Sequence, residues 1–343
     1  MTITERSFGS TKSGDPVACY TLQDKGMSAE ILSYGGTIRT LSVPAPGGIR
    51  DVALGFDNMA GYEAQGDYIG ALVGRVANRI GGAHFSLNGQ SCPLSANDGP
   101  NCLHGGFRSF DKRIWRVHEE NGALVCSLHS PDLDGGFPGD VDIAVRYKIT
   151  DGALCIEYSA EGSADTPLSL TNHCYFNLGG HGLGSIADHV VRICSDTITP
   201  VNGALIPTGN LLDVTGTPFD LREQQTLGAG LISTHPQLVL SGGYDHNFVL
   251  SSEPQRELTP AAALEYKGLR MTCLTTQPGI QFYSGNFLSG RKGKGGAIYG
   301  KHSGLCLETQ SWPDAVNRPE FPDCILRKGA VYRHTTVYSF TQA

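Results

Sequence analysis

The sequence predicts an all-β protein built as a large antiparallel β-sandwich, and three observations lead to this prediction. Glycine supplies 45 of the 343 residues, nearly twice its average share of about 7%, and only 17% of the residues are charged. Strand-like segments are joined in pairs by Asn-Gly or Asp-Gly, the dipeptides that favour tight hairpin turns. Helical patterns are few and short, the clearest lying around residues 59–64.

The first half of the chain contains three predicted hairpins. In residues 141–160, VDIAVRYKITDGALCIEYSA, apolar and polar residues alternate on both sides of Asp151-Gly152. Asp-Gly tolerates the positive φ angles of a type I′ turn, so the two segments are expected to pair. The segments WRVHEENGALVCSLH and AHFSLNGQSCPL repeat the pattern around Asn121-Gly122 and Asn88-Gly89. Three such hairpins indicate antiparallel sheet.

The second half of the chain continues in the same style. Its strand-like segments are HVVRICSDTITPV, YDHNFVL, LRMTCLTTQPGIQFYSG, SGLCLETQ and VYRHTTVYSF. No linker-like, low-complexity or highly charged tract divides the chain, so residues 1–343 are predicted to form a single domain. A sheet this broad is expected to curve, and a concave face lined by alternate polar side chains would make a groove for a ligand.

The charge balance argues against nucleic acid as a partner. Lys and Arg number 26 and Asp and Glu 33, which gives a net charge of -7, and no basic cluster could follow a phosphate backbone. The N-terminal segment MTITERSFGSTKSGDP has no apolar signal-peptide core, and no apolar run reaches about 18 residues. We therefore expect a cytoplasmic protein with no membrane association. The ten cysteines show no CxxC spacing and are expected to be reduced, mostly buried thiols.

Two segments carry the candidate proton-transfer residues. In SLTNHCYFNL, residues 169–178, alternation places His173 and Tyr175 on a polar face, opposite a mainly apolar one. In LCLETQ, Glu308 lies in mid-strand on the side away from its leucine neighbours. A partly desolvated carboxyl group has a raised pKa and accepts protons better near neutral pH, where histidine also titrates. Taken singly, each residue also has an ordinary interpretation, as a solvent-facing glutamate or a structural histidine.

Five further residues could contact a polar ligand. His104 precedes a pair of glycines, where bare backbone would let a ligand approach closely. Arg79, next to Asn78 in GRVANRIGG, offers a rigid fork of donors to oxygen ligands. Asp245 begins an apolar strand, and Gln277 precedes a Pro-Gly turn. Each of these residues could equally serve a turn, a surface ion pair or a backbone cap.

A metal site and a nucleotide cofactor are both disfavoured by the sequence. His104, His173 and Glu308 would make a two-histidine, one-carboxylate ligand set, but no HxH or HExxH spacing supports it. Walker-type and GxGxxG phosphate-binding loops are absent, and so is the GxSxG motif of a nucleophilic serine. The sequence therefore predicts a site without metal or cofactor.

Considered together, six segments resemble the aldose 1-epimerase family. They occur in the family's order from about residue 35 to the C-terminus, as NRIGG, GPNCLHGGFRSFDKRIW, NHCYFNLGG, GYDHNFVL, TTQPGIQFYSGNFL and LETQSWPDAVNRPEFP. The resemblance implies a β-sandwich of the galactose mutarotase type, a supersandwich, in agreement with the hairpin pattern. It also implies an enzyme that interconverts the α and β anomers of free hexoses such as galactose and glucose by acid/base-catalysed ring opening and reclosure.

The same resemblance implies roles for eight residues. Glu308 in LETQ would be the general base, and His173 in NHCYF the general acid. Sugar hydroxyls and the ring oxygen would be held by Asn78, Arg79, His104, Tyr175, Asp245 and Gln277. A small-molecule aldose is then the expected partner, and we expect the chain to act as a monomer or weak homodimer.

Two other functions stay open from the sequence. A groove that binds hydroxyls could belong to a non-catalytic sugar-binding β-sandwich, although such proteins usually lack the catalytic carboxylate that Glu308 would supply. A hexose-6-phosphate 1-epimerase would need additional cations to face the phosphate. Among the residues proposed to contact the ligand only Arg79 is a cation, and the more distant Arg222 and Arg318 stay open as phosphate ligands.

Overall fold

The structure, a computed structural model, describes residues 1–342 of the chain. Strands β1 to β15 are, in order, Thr2–Ser10, Pro16–Asp24, Met27–Leu32, Ile38–Ala45, Gly48–Asp51, Leu72–Val73, Arg79–Ile80, His84–Leu87, Gln90–Pro93, Cys102–Leu103, Arg116–Glu120, Ala123–Ser130, Val141–Thr150, Ala153–Gly162 and Thr166–Pro167. Strands β16 to β30 are Thr171–Asn172, Tyr175–Phe176, Val190–Ile193, Thr197–Ile198, Leu212–Asp213, Gln225–Thr226, Asp245–Val249, Thr259–Tyr266, Leu269–Thr275, Gly279–Tyr283, Arg291–Lys292, Ile298–Tyr299, Leu305–Gln310, Ile325–Leu326 and Val331–Gln342.

Helices are short and few within the described residues. The α-helices α1, α2 and α3 span Met59–Ala64, Leu227–Leu231 and Pro236–Ser241, and single 3-10 turns lie at Gly81–Ala83, Gly106–Arg108, Phe110–Lys112, Lys294–Gly296 and Ala315–Asn317. The predicted helix at residues 59–64 is confirmed, and Asn58 caps it by accepting a hydrogen bond from the amide of Gly61. Across residues 1–342, no helix has the length and apolar character needed to span a membrane.

The largest sheet has nine strands in the order β11-β12-β13-β14-β30-β24-β23-β18-β21. All three predicted hairpins are confirmed, because β8 pairs with β9, β11 with β12 and β13 with β14, each in antiparallel fashion. Both residues of each predicted turn have φ between 49° and 76°, as a type I′ turn requires. The predicted antiparallel β-sandwich class is thus confirmed.

A six-stranded sheet, β17-β28-β25-β22-β19-β20, packs against the nine-stranded one. Leu305 and Leu307 of β28 belong to the main apolar core, which also contains Ile156 and Tyr338 of the larger sheet. The hydroxyl of Tyr338 donates to the carbonyl of Leu307 at 2.9 Å. Cys306, between the two leucines, instead belongs to a second apolar cluster on the opposite face. Alternate residues of β28 therefore face the core and the pocket described below.

The remaining large sheet is a meander of the first five strands, in the order β1-β2-β3-β4-β5. All ten cysteines lie within the described residues and have free thiols, and eight of them are buried. This agrees with the expectation of reduced, mostly buried thiols.

The segment SLTNHCYFNL differs from the single strand that its alternation predicts. It forms two short strands, β16 paired with β6 and β17 paired with β28, with His173 and Cys174 between them. The reason lies in the hydrogen bonds of the His173 backbone, whose N–H donates to Ala71 and whose carbonyl accepts from Gly70, both at 2.9 Å. The break in the strand therefore fixes His173 against the loop at residues 70–71.

Candidate active site

One pocket collects seven of the eight residues that the sequence analysis proposed for the site. They are Asn78, Arg79, His104, His173, Tyr175, Asp245 and Glu308. The pocket is completed by aromatic and other side chains that include Tyr68, Tyr283 and Phe287. Residues far apart in sequence therefore meet on one face of the six-stranded sheet.

Glu308 and His173 face each other inside this pocket. Glu308 lies in the middle of β28, where its neighbours Leu307 and Thr309 are also buried, and His173 lies in the break between β16 and β17. The distance from His173 Nε2 to Glu308 Oε1 is 3.6 Å. The second carboxylate oxygen of Glu308 is buried and has no hydrogen-bond partner within the protein. A substrate hydroxyl could therefore satisfy it.

Burial shifts the pKa values of the two groups in opposite directions. Desolvation raises the pKa of Glu308 well above its usual value, and the nearby Asp245 adds to this effect while Arg79 opposes it. Desolvation lowers the pKa of His173 to about 4. Without a ligand the pair therefore favours its neutral form, in which Glu308 holds the proton and His173 does not.

The loops that carry Asn78 and His104 are joined by reciprocal hydrogen bonds. The amide of Asn78 donates to His104 Nδ1 at 3.0 Å, and the amide of His104 donates to the Asn78 carbonyl at 2.9 Å. Both residues have positive φ, 63° and 53°. Gly105 follows with φ of 88°, and a Cβ there would come within 2.1 Å of the Gly74 carbonyl oxygen. The glycine after His104 is therefore needed for this close approach of two loops.

These hydrogen bonds determine what His104 can bind. Because Nδ1 accepts from an amide, a neutral His104 ring carries its hydrogen on Nε2. His104, His173 and Glu308 lie close enough to bind a metal ion, with ligand atoms within 4.8 Å of one another. A ring nitrogen that carries hydrogen cannot ligate a metal, but it can donate to a sugar hydroxyl. The tautomer therefore favours a hydrogen-bonding role for His104 over metal coordination.

Charged groups on the other side of the pocket are held in a chain of contacts. Arg79 Nε donates to Asp98 at 2.7 Å, and Arg79 Nη1 lies 3.9 Å from Asp245. Asp245 also accepts from Gln281 Nε2 at 2.6 Å. Burial raises the pKa of Asp245, while Arg79 and Gln281 oppose the increase. Arg79 and Asp245 thus place a fixed donor and a fixed acceptor side by side, which suits neighbouring hydroxyl groups.

Aromatic side chains form part of the pocket wall. The Tyr175 ring lies 5.0 Å from the His173 ring, and its hydroxyl donates to the Asp67 carbonyl at 2.9 Å. The Tyr283 hydroxyl accepts from the amide of Phe287 at 2.9 Å, and Phe287 is 55% exposed at the pocket. A Tyr175 hydroxyl already engaged as a donor remains available to a sugar only as an acceptor.

The structure does not bring Gln277 to the pocket. Its side chain donates to the Tyr332 hydroxyl at 3.1 Å, and its amide donates to Thr275. The glutamine that reaches the site is Gln281, which pairs with Glu308 across β25 and β28 and binds Asp245. Gln281 lies two residues before Tyr283 in GIQFY, so alternation places both on one face of β25, but the sequence alone does not show that this face is the one toward the pocket.

The sequence analysis also missed further residues at the site, among them Asp98 and Tyr68. Asp98 holds Arg79, and the Tyr68 ring lies 4.5 Å from the ring of His104. Neither has a motif around it that indicates a site. Arg222 and Arg318, considered above as phosphate ligands, do not line the pocket and are engaged with carboxylates elsewhere.

An antiparallel β-sandwich in which a buried carboxyl and imidazole face each other among polar side chains fits a class of protein, the carbohydrate isomerases that work by proton transfer. Residues 18–339 match the family described as aldose 1-epimerase. The chain belongs to the aldose 1-epimerase family, and it is an isomerase with aldose 1-epimerase activity.

Individual relatives agree with this assignment. The chain is 44% identical to galactose mutarotase of Homo sapiens over 344 residues, which cover 99% of each protein. It is 36% identical to aldose 1-epimerase of Escherichia coli K12, with 95% of this chain and 96% of that protein covered. Among solved structures, a GalM/aldose epimerase homologue from C. elegans superposes with a TM-score of 0.86 at 30% identity, covering 100% of this chain and 99% of the other. The predicted family, fold and enzyme class are thereby confirmed.

Proposed function

We propose that the protein interconverts the α and β anomers of free aldohexoses, galactose and glucose among them, with Glu308 as the general base and His173 as the general acid. The observation that carries this proposal is the 3.6 Å approach of His173 Nε2 to Glu308 Oε1 inside the pocket. The 44% identity to galactose mutarotase supports the choice of substrate.

The chemistry of anomer exchange requires two coordinated proton transfers. Glu308 removes the proton from O1, the bond between C1 and O5 breaks with its electron pair going to O5, and His173 Nε2 delivers a proton to O5. The sugar is then an open-chain aldehyde. Half a turn about the bond between C1 and C2 presents the other carbonyl face to the O5 hydroxyl. Reclosure reverses the transfers, so Nε2 takes the O5 proton and Glu308 returns one to O1.

The two groups need only one transferable proton between them. The reactive form, with Glu308 ionised and His173 protonated, contains the same number of protons as the neutral pair that burial favours. Moving the proton from Glu308 to His173 therefore requires no uptake from solvent. Because the two sites interact, the pair titrates as a unit. The form with one shared proton persists over the pH range between the pKa of His173, about 4, and the raised pKa of Glu308.

We propose that the sugar is oriented by the groups around this pair. His104 Nε2–H and Arg79 are donors, and Asp245 is an acceptor. The side-chain oxygen of Asn78 accepts from the Arg79 amide at 2.8 Å, which leaves the Asn78 amide nitrogen free to donate to the sugar. Tyr175 would contribute its hydroxyl as an acceptor.

Polarimetry of freshly dissolved α-galactose or α-glucose tests the proposal. Glu308→Gln keeps the size of the side chain but removes the base, and should lower kcat by roughly 10² to 10⁴. Glu161→Gln, an identical change at an exposed position of β14, is the matched control and should leave kcat unchanged. Wild-type rates in Glu308→Gln would refute the assignment of the base. Faster turnover of glucose 6-phosphate than of glucose would refute the choice of free hexoses.

We further propose that the whole chain is one domain and works in the cytoplasm. The main apolar core draws on residues from Leu22 to Phe340, which supports a single folding unit. The ten free thiols suit a reducing compartment. The predicted monomer or weak homodimer would be tested by light scattering coupled to size-exclusion chromatography.

A further inference from the structure

Cys306 lies against the ring nitrogen of His173 that does not face Glu308. The distance from Cys306 Sγ to His173 Nδ1 is 3.4 Å, within the range of a hydrogen bond to sulfur. Cys306 is fully buried, and in β28 it lies directly opposite Tyr175 of β17. The imidazole of His173 is therefore held between a thiol on one nitrogen and the reacting carboxylate on the other.

The reaction determines which partner donates in the contact between thiol and imidazole. Protons move on and off Nε2 during ring opening and closure, so Nδ1 must keep its hydrogen both when His173 is charged and when it is neutral. Nδ1–H is then the donor and Sγ the acceptor. Burial raises the pKa of Cys306 well above its usual value, with the charge of Glu308 adding to the effect, and the thiol therefore stays uncharged.

An uncharged sulfur orients the ring without making it strongly basic. A carboxylate at this position would stabilise the imidazolium and raise the pKa of His173, which would make it a poorer proton donor to a weakly basic ring oxygen. Sulfur is a weak acceptor and carries no charge. It can select the tautomer while leaving His173 acidic.

We propose that Cys306 is a positioning residue for the reaction, whose Sγ accepts a hydrogen bond from Nδ1–H of His173 and thereby holds the tautomer that exchanges its proton through Nε2. This inference rests on the proposed function, in which His173 is the acid. It assigns no direct contact between Cys306 and the sugar.

The tautomer of His173 gives a direct test. Nitrogen-15 NMR of histidine-labelled protein near pH 7 should show hydrogen on Nδ1 of His173, with the signal assigned by its loss in His173→Asn. In Cys306→Ala the population should move toward the Nε2–H form. A wild-type ring with its hydrogen on Nε2 would overturn the proposal, and so would an unchanged tautomer in Cys306→Ala.

Kinetics provide a second test that a purely structural role would not satisfy. Cys306→Ala should lower kcat about 3- to 10-fold, the effect expected of one neutral hydrogen bond, with KM changed less than twofold. Cys306→Ser, whose hydroxyl is also an acceptor, should recover most of the loss. Cys126→Ala is the matched control, because Cys126 is equally buried but lies in the nine-stranded sheet.

Combining substitutions separates this inference from the proposed function. In the His173→Asn background, Cys306→Ala should cause no further loss, because the thiol acts through that ring. If His173→Asn keeps the wild-type kcat, the role of His173 as acid fails and the role of Cys306 fails with it. If His173→Asn is inactive while Cys306→Ala matches Cys126→Ala in kcat, only the positioning role is refuted.

Discussion

Arg75 is a buried cation whose removal should destabilise the fold by a measurable amount. It is 2% exposed, and its guanidinium makes six hydrogen bonds. Their acceptors are the carbonyls of Ser130, Pro131, Phe137 and Pro138 and the hydroxyls of Ser130 and Thr166. Arg75→Met keeps the length of the side chain but removes the guanidinium donors from all of these acceptors, of which the Pro131 carbonyl keeps a second donor, the amide of Asp134.

The cost follows from the number of abandoned acceptors. Four carbonyls lose a donor in hydrogen bonds that are buried or partly buried, and at about 1 kcal/mol each they give a loss of about 4 kcal/mol in the free energy of unfolding. A chain of 343 residues has an unfolding entropy of roughly 0.7 kcal/mol per kelvin, from about 2.1 cal/mol/K for each residue. The midpoint of thermal unfolding should therefore fall by about 6 °C. Arg75→Lys, which keeps the charge but only three donors, should lose about half as much.

Differential scanning calorimetry of the purified variants measures this shift. Arg116→Met is the control, because Arg116 is exposed on the edge strand β11 and its side chain makes no hydrogen bond to the described residues. Its midpoint should stay within about 1 °C of the wild type. A decrease of less than 2 °C in Arg75→Met, or a midpoint for Arg75→Lys equal to that of the wild type, would refute the reasoning about roughly additive buried acceptors.

Three further predictions concern pH and the site. Because the pKa of His173 is about 4, kcat/KM should fall on acidification toward pH 4. At higher pH it should fall only where the raised pKa of Glu308 is exceeded and the shared proton is lost. A kcat/KM that does not fall on acidification toward pH 4 would contradict the shared-proton pair. His173, His189 and His246 are buried and His334 is half-buried, with pKa values of about 4, 4, 3 and 4. Their contribution to stability is complete above the unfolded value of about 6.5 and is lost as pH falls toward 4, by up to about 1.4 kcal/mol per pH unit for each. Glu308 and Asp245, with raised pKa values, oppose this trend but are fewer. The midpoint of thermal unfolding should therefore decrease between pH 6.5 and 4. A constant midpoint would exclude neutral burial of the histidines. Gln281→Leu removes a donor from buried Asp245 and should raise KM about tenfold. The same change at Gln277, whose side chain binds Tyr332, should leave KM within twofold of the wild type. Equal effects on KM would contradict the different placement of the two glutamines.

Alternation along single strands made much of the site predictable from sequence. In β28 the leucines at 305 and 307 must enter the core, which leaves Glu308 no position but the opposite face. Asp-Gly and Asn-Gly fixed three hairpins because their residues adopt positive φ easily. These features depend only on residues near one another in the chain.

Contacts between distant segments could not be predicted in the same way. Arg79 reaches Asp98 through the folding of a loop, and no spacing rule encodes that contact. Gln277 and Gln281 both occur in TTQPGIQFY, and every residue of β25 is buried, so polarity alone could not decide which glutamine faces the pocket. The decision comes from the pairing of β25 with β28, which places Gln281 opposite Glu308.

The reciprocal hydrogen bonds between the loops of Asn78 and His104 have a consequence for substrate affinity. They immobilise the His104 ring when the chain folds, so its rotational entropy is lost before any sugar arrives. If His104 donates to the sugar as proposed, binding does not have to order this donor. The pocket is pre-organised on that side, and a weakly interacting monosaccharide can use the full strength of its few hydrogen bonds.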